Sequence, residues 1–336
     1  MGMGMGTSTG ASTAGTPQGP SSPTVVQASA APLAPARPRA KVGAAARVGG
    51  GTRRRRATVT PLAVAGWIFL ALLLLFTAVP MAWMVSTSLK SEFASIQQPP
   101  RWIPAEPTIE PYTRLLDPAS KTGRTFLGYL RNSFLVSTAT TVLGLLVAVP
   151  AAYAFSRFDF PGRKPLFFIV LVRNMFPAVV FLIPLFILMK ELHQIDEYGS
   201  LILTYLTFGL PLSIWLLKGF YDNIPPELEQ AARIDGATRF QAFRLIILPL
   251  STPGLVATAI YAFIQAWNEY IYARTFINSE QKMTMPVGLE KFFTEYASNW
   301  PGLMAASFIM SVPVVVLFLV LQRHFVRALT EGAVKQ

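Results

Sequence analysis

The chain has 336 residues, no cysteine, 52% hydrophobic residues, only 14% charged residues and a mean hydropathy of +0.44. A soluble domain carries about 25% charged residues, so the composition argues against an ordinary soluble enzyme and points to an all-α polytopic membrane protein. Without cysteine there is no disulfide framework, thiolate nucleophile or Cys-ligated metal, and His193 and His324 stand too far apart in sequence to suggest a His-rich metal site.

The net charge of +12 is concentrated at one end. Residues 1–60 hold eight basic residues (Arg37, Arg39, Lys41, Arg47 and Arg53 to Arg56) and no acidic ones. Their Gly/Ala/Ser/Thr/Pro-rich composition predicts a disordered basic tail, residues 1–60, without the apolar core of a secretory signal. Arg53 to Arg56 precede an apolar stretch at once. They are expected to hold the tail in the cytoplasm against anionic lipid rather than to bind nucleic acid, because no folded module or interleaved aromatics accompany them.

Gaps between charges locate six predicted spans in residues 61–336: about Leu62–Val85, then 132–156, 165–189 (interrupted only by Arg173), 198–217, 245–268 and 296–322. Each is about the 20 residues or more needed to cross a ~30 Å hydrocarbon core, where the backbone must satisfy itself as helix. With both termini inside, the inner segments carry 14 basic residues in 53, against 10 in 79 for the outer ones. The positive-inside rule therefore favours an N-in/C-in arrangement. Five spans contain proline: Pro80, Pro150, Pro177 with Pro184, Pro211 and Pro313. Such kinks suit helices that enclose a cavity, although proline is also ordinary in membrane helices.

Between the fourth and fifth spans lies the inner loop 221–250, too long and too patterned for a plain connection. Pro225 and Pro226 open a helix, and Glu227 and Glu229 follow in its first turn, where the dipole favours anions. Ala231 and Ala232 are small and helix-favouring. Gly236 can take the left-handed conformation that ends a helix. Thr238 and Gln241 form a capping-box pattern that starts a second short helix. The segment reads as a helix–Gly–helix elbow whose alanine patch lets another surface approach closely.

Gln230-Ala231-Ala232, then Gly236, Ile246, Leu248 and Pro249, resemble the E-A-A…G…I-x-L-P loop of the membrane subunits of binding-protein-dependent ABC importers, with every spacing matched. The family's glutamate is replaced by Gln230, with Glu229 beside it. In the family that glutamate faces an arginine of the ATPase, so the resemblance leaves three substitutes: Glu229, Asp235 or a neutral hydrogen bond. The likeness is greatest to the maltose-type carbohydrate permeases. Trp102-Ile103-Pro104 with Pro107 to Ile109 and Tyr112 resemble that group's first outer segment, and Tyr153 to Arg157 with Phe160 to Arg163 its first inner loop. Met175-Phe176-Pro177 resemble its third span and Trp267-Asn268-Glu269 its fifth. Gln322-Arg323 through Leu329-Thr330 and Gly332 to Lys335 resemble its C-terminus.

The resemblance implies a non-enzymatic permease that forms half of a sugar pathway with a second permease subunit. A dimer of ATPase subunits and an extracytoplasmic solute-binding protein complete the assembly. The chain lacks G-x-x-x-x-G-K-[ST]. It is therefore expected to bind no cofactor, and ATP and Mg belong to the partner ATPase. The elbow would dock through Leu228, Glu229, Gln230, Ala231, Ala232, Asp235 and Gly236, and Gln322, Arg323, Thr330 and Gly332 would reach the ATPase interface. The implied solute is a di- or oligosaccharide such as an α-glucoside, with most sugar contacts in the other permease subunit. A stand-alone secondary transporter would need no such elbow and would show internal repeats, and no HExxH or G-x-S-x-G cluster supports a membrane enzyme.

Two polar groups stand inside spans. Arg173 lies nine residues beyond Lys164, roughly 13 Å along a helix, where a charge costs at least ~2.5 kcal/mol. Arg173 and Asn174 either line the pathway, or the arginine makes a structural ion pair or snorkels to the inner interface. Trp267, Asn268 and Glu269 suit sugar chemistry, but an interfacial aromatic with a helix-end charge accounts for them more simply. The outer aromatics Phe276, Phe292, Phe293, Tyr296 and Trp300 are expected to face the binding protein.

Overall fold

A computed structural model describes residues 61–294 and 299–333, with side chains over 64–292 and 299–321. The tail, residues 1–60, lies outside the described residues. Among the described residues every regular element is helical, as a chain that must satisfy its backbone in lipid requires.

Helix α1 spans Pro61–Ser88, and two short helices, α2 (Glu92–Ile96) and α3 (Glu110–Leu116), follow it. Helix α4 runs through 37 residues, Lys121–Arg157. Helices α5 (Arg163–Val172) and α6 (Leu182–Glu191) are separated by two 3-10 turns, and α7 is Tyr198–Asp222. The elbow holds α8 (Pro226–Ile234) and α9 (Arg239–Ala242), followed by a π-turn, Phe243–Ile247, and α10 (Leu248–Leu250). Then come α11 (Thr252–Trp267), α12 (Ile271–Phe276), α13 (Met285–Thr294) and α14 (Trp300–Ala333).

Four helices are individually long and apolar enough to cross a membrane, within α1, α4, α7 and α14. The third and fifth predicted spans are not single rods. The segments Arg163–Met175 and Ala178–Glu191 meet at 100°, and Arg239–Leu250 and Thr252–Trp267 meet at 73°. The sequence supplies the reasons. Pro177 lacks an amide and keeps Phe176 extended, with ψ 134°. At the second bend, Pro249 and Pro253 flank Ser251, which leaves the helical region at ψ 4°. Proline elsewhere (Pro80, Pro150, Pro211 and Pro313) stays within continuous helix.

Helices α4 and α7 form the most extensive helix pair. Lipid tails give no hydrophobic drive between helices, so close approach must come from small residues. Helix α4 supplies a stripe of them, Ser133, Ser137, Thr140, Gly144, Ala148 and Ala152, all buried at three- or four-residue spacing. Two apolar cores result. One packs Phe126, Tyr129 and Leu201 with Phe276, Ile277 and Met285. The other, next to the elbow, packs Tyr153, Phe155, Leu217, Tyr221 and Ile247. By contrast, α1 keeps Trp67, Phe69, Leu72 and Phe76 exposed over its length, as a helix facing lipid or another subunit does.

At the end opposite the elbow, Asp196 holds two loops together. Its backbone is left-handed, with φ 64°. One carboxylate oxygen accepts the Asn278 and Ser279 amides at 2.9 and 2.8 Å, and the other accepts the Ser279 hydroxyl. Burial alone would raise this carboxyl, but the Ser279 hydroxyl, the two amides and Lys282 outweigh burial and hold it below the usual aspartate range. A depressed folded pKa means that the stabilisation is complete above the unfolded value of about 3.9 and is lost as pH falls through the lower folded value. The purified protein should therefore melt at a lower temperature at pH 3 than at pH 6. Asp196→Asn, which tolerates the same backbone, should lower the pH 6 melting temperature and shrink that difference.

Candidate functional site

The elbow forms as its sequence predicts. Pro225 caps α8, whose first turn carries Glu227 and Glu229. Gly236 ends it at φ 93°, a backbone that residues with a Cβ adopt only with strain. Thr238 and Gln241 close a complete capping box: the Gln241 amide donates to Thr238 Oγ1, and the Thr238 amide donates to Gln241 Oε1. Leu228, Gln230, Ala231, Asp235 and Gly236 face outward, and Ala232 is half-buried. Ile234, at 86% exposure, and Phe240 extend the outward face into an apolar patch.

Glu229 points the other way, which removes it from the docking face where the sequence put it. It is buried, accepts the Tyr153 hydroxyl at 2.6 Å, and pairs with Arg157 Nε at 3.6 Å. Arg157 Nη2 also donates to the Tyr221 and Ile224 carbonyls, at 2.9 and 2.6 Å, which are freed where α7 ends. Glu229 thus fastens α8 to the ends of α4 and α7, and of the three substitutes for the family's glutamate Asp235 and a neutral hydrogen bond from Gln230 remain on the outer face. The physical reason is amphipathicity: Glu229 falls on the face of α8 that packs against the helix ends, where Arg157 offers charge compensation.

The second feature is a cavity of about 480 Å³ between α4, α7, α11 and the broken third span. Arg173 and Asn174 both line it. Arg173 makes no ion pair among the described residues. Its guanidinium lies 3.5 Å from the centre of the Phe208 ring, Nη1 donates to Asn174 Oδ1 at 3.0 Å, and Nε and Nη2 have no acceptor. The expectation of a structural ion pair therefore fails, and cation–π packing holds this charge in place.

Trp267, Asn268 and Glu269 part company. Trp267 is 1% exposed, stacks on Phe263, and donates Nε1–H to the Met310 carbonyl at 3.2 Å, in the turn before Pro313. It is a packing residue, neither an interfacial aromatic nor a wall of this cavity. Asn268 is exposed and caps α11. Glu269 lines the cavity. It accepts the Tyr205 hydroxyl at 2.7 Å and the Tyr272 and Ala273 amides at 2.8 and 3.1 Å, so it closes the start of α12. Tyr272 in turn donates to the Ala178 carbonyl at 2.6 Å and ties α12 to the break of the third span.

Several residues here were not singled out from sequence. Tyr205, Tyr261, Gln265 and Tyr272 carry the cavity's polar lining. The available signal was a hydroxyl or amide inside an otherwise apolar span. Two of the expected outer aromatics are core instead: Phe276 is fully buried and Phe292 is 8% exposed, both in the apolar core that also holds Met285 and Val287 of α13. Trp300 is partly exposed, and the Phe293 side chain and Tyr296 lie outside the described residues. The backbone of 322–333 continues α14, but the side chains of Gln322, Arg323 and Thr330, like the surroundings of Gly332, also lie outside them.

Residues 140–331 match the family model for the inner membrane component of binding-protein-dependent transport systems. The chain belongs to this family. The permease is 36% identical to the trehalose transport system permease protein SugB of Mycobacterium tuberculosis, over 77% of this chain and 93% of that one. It is 35% identical to the trehalose/maltose transport system permease protein MalG of Thermococcus litoralis, over 82% and 96%. Its fold matches a chain of a bacterial ABC transporter for the acidic polysaccharide alginate with a TM-score of 0.68, at 25% identity, covering 79% of this chain and 96% of that one. The permease is thus a multi-pass inner-membrane protein.

Removing one partner of the Glu229 anchor should loosen the elbow. Arg157→Met leaves a buried carboxylate without its counter-charge and two carbonyls unpaired, so a loss of about 3 kcal/mol is expected. Tyr153→Phe removes one hydrogen bond and should cost about 1–2 kcal/mol. Denaturant unfolding of the detergent-solubilised permease measures both.

Proposed function

We propose that the permease forms half of the translocation pathway of an ATP-driven sugar importer and that its elbow receives a separate ATPase dimer. A second permease subunit supplies the other half, and an extracytoplasmic binding protein delivers the sugar. The termini lie in the cytoplasm, as the basic-residue distribution favours. ATP and Mg are used by the partner, and this chain binds neither.

One observation carries the reading. The helix α8 is fixed from behind by Glu229, Arg157 and Tyr153, while its outward face offers Leu228, Ala231 and Ile234 with no covering element among the described residues. A helix so fixed moves as one body with α4 and α7, and a motor gripping its outer face would tilt the spans that wall the cavity. That is alternating access by rigid-body motion, biased by ATP and by the loaded binding protein. Gln230 and Asp235 remain on the outer face to meet a cationic or polar partner group. The sugar reading rests on relatives named for trehalose and maltose, which also support a di- or oligosaccharide of α-glucoside type. A second cavity of about 450 Å³, lined by Lys90, Glu92, Arg114 and Asn299 at the end away from the elbow, supports contact with the binding protein there.

Gly236→Val and Ala232→Leu test the coupling. Each should leave the chain inserted in the membrane yet abolish stimulation of ATP hydrolysis by the loaded binding protein in the assembled transporter. Full stimulation in both variants would exclude the elbow as the coupling element.

A further inference from the structure

The cavity beside the two broken spans has the chemistry of a binding site rather than of a packing defect. Its volume of about 480 Å³ lies within the range of small-ligand sites. Dry packing gaps between membrane helices are lined by apolar groups. Here Asn174, Tyr261, Gln265 and Glu269 face the same space. Tyr261 and Gln265 are one turn apart on α11, joined by a 3.1 Å hydrogen bond from Gln265 Nε2 to the Tyr261 hydroxyl. Gln265 and Asn174 are both exposed to the open space. Aromatic faces from Phe208 and Tyr272 border it, so flat apolar surface and hydrogen-bonding groups stand side by side.

The charges are arranged for a neutral ligand. Arg173 is a cation with no carboxylate in ion-pair contact among the described residues, held over Phe208. Glu269 carries one negative charge on the same cavity, already met by the Tyr205 hydroxyl and two amides. One charge of each sign leaves the cavity without net charge among its lining residues, so neither an anionic nor a cationic solute gains from the field as a whole. A sugar ring suits what remains. Its apolar face fits against aromatic side chains, and its hydroxyls donate to the carboxylate and both donate to and accept from amides and tyrosine.

We propose that this permease binds the transported sugar itself, in the cavity between Arg173–Asn174 and Tyr261–Gln265–Glu269, and that this site takes an uncharged sugar in preference to a uronate. The proposal rests on the reading of the chain as a sugar permease. It differs from what the maltose-type resemblance implies, which puts most sugar contacts in the other permease subunit. A binding site on this side would hold the sugar after the binding protein releases it and before the inner end opens.

Gly209 makes the site testable without damaging it. It lines the cavity from α7, and a Cβ added there meets nothing within 4 Å. The experiment uses the complete transporter in proteoliposomes. Mass spectrometry of the solute retained by its purified binding protein identifies the probe, which is then supplied in labelled form. Sugar delivered per ATP hydrolysed is measured for wild type, Gly209→Ala, Gly209→Phe, Gln265→Ala and Asn174→Ala. The retained solute should be a neutral sugar. Gly209→Phe should deliver at least tenfold less sugar per ATP than Gly209→Ala, and Gln265→Ala and Asn174→Ala at least threefold less than wild type. Unchanged sugar per ATP in Gly209→Phe and both alanine variants overturns the site while leaving the permease reading intact, and so does a retained uronate. A retained solute that is no carbohydrate overturns the sugar reading itself.

Discussion

A polypeptide in hydrocarbon must satisfy every backbone amide and carbonyl, and the permease meets that demand where its helices break. At the third span, Pro177 and the 3-10 turns leave the Ala178 carbonyl outside any α-helix, and the Tyr272 hydroxyl takes it up. Beyond the fifth span, α11 stops at Trp267 and α12 starts at Ile271, and Glu269 receives the first amides of α12. The first is closed by a side chain of α12, and the second by Glu269, which the Tyr205 hydroxyl of α7 supports. Removing the tyrosine or the glutamate would leave a polar backbone group in an apolar medium, at a cost of several kcal/mol.

This closure also explains the cavity. The third span breaks beside α11 and α12 and leaves space there, and the side chains that close the exposed backbone are polar. A cavity lined with tyrosine, amide and carboxylate is thus a by-product of keeping bent helices stable in lipid. Arg173 fits the same logic. Its charge is held by the Phe208 face and by Asn174 rather than by a buried carboxylate, so it stays at the cavity instead of being neutralised in an ion pair.

The elbow and the cavity are mechanically joined. Helix α7 carries Tyr205 and Phe208 at the cavity, and its last turn gives the Tyr221 carbonyl to Arg157, with the Ile224 carbonyl just beyond it. Helix α4 carries Thr140 and Gly144 at the cavity and Tyr153 and Arg157 at the elbow. Small residues along α4 let the two helices pack at close range, so they behave as one stiff unit. Any force applied to α8 reaches the cavity walls through these two rods, without a flexible joint between.

Much of this was legible in the linear sequence, and the rest was not, for physical reasons. The apolar stretches, the Pro225–Pro226 start, the Gly236 stop and the Thr238–Gln241 capping box are local. They follow from solvation over about 20 residues or from backbone geometry over four. Local signals of this kind therefore determined an all-helical membrane protein with an elbow in residues 221–250. The direction of Glu229, the burial of Trp267 and Phe276, and the meeting of Arg173 with Phe208 depend on partners 76, 43, 90 and 35 residues away along the chain. An isolated helix of either orientation satisfies its own backbone equally well. Which face turns inward is decided only when neighbouring helices present a matching hydroxyl, carbonyl or ring, and that information exists only in the folded bundle.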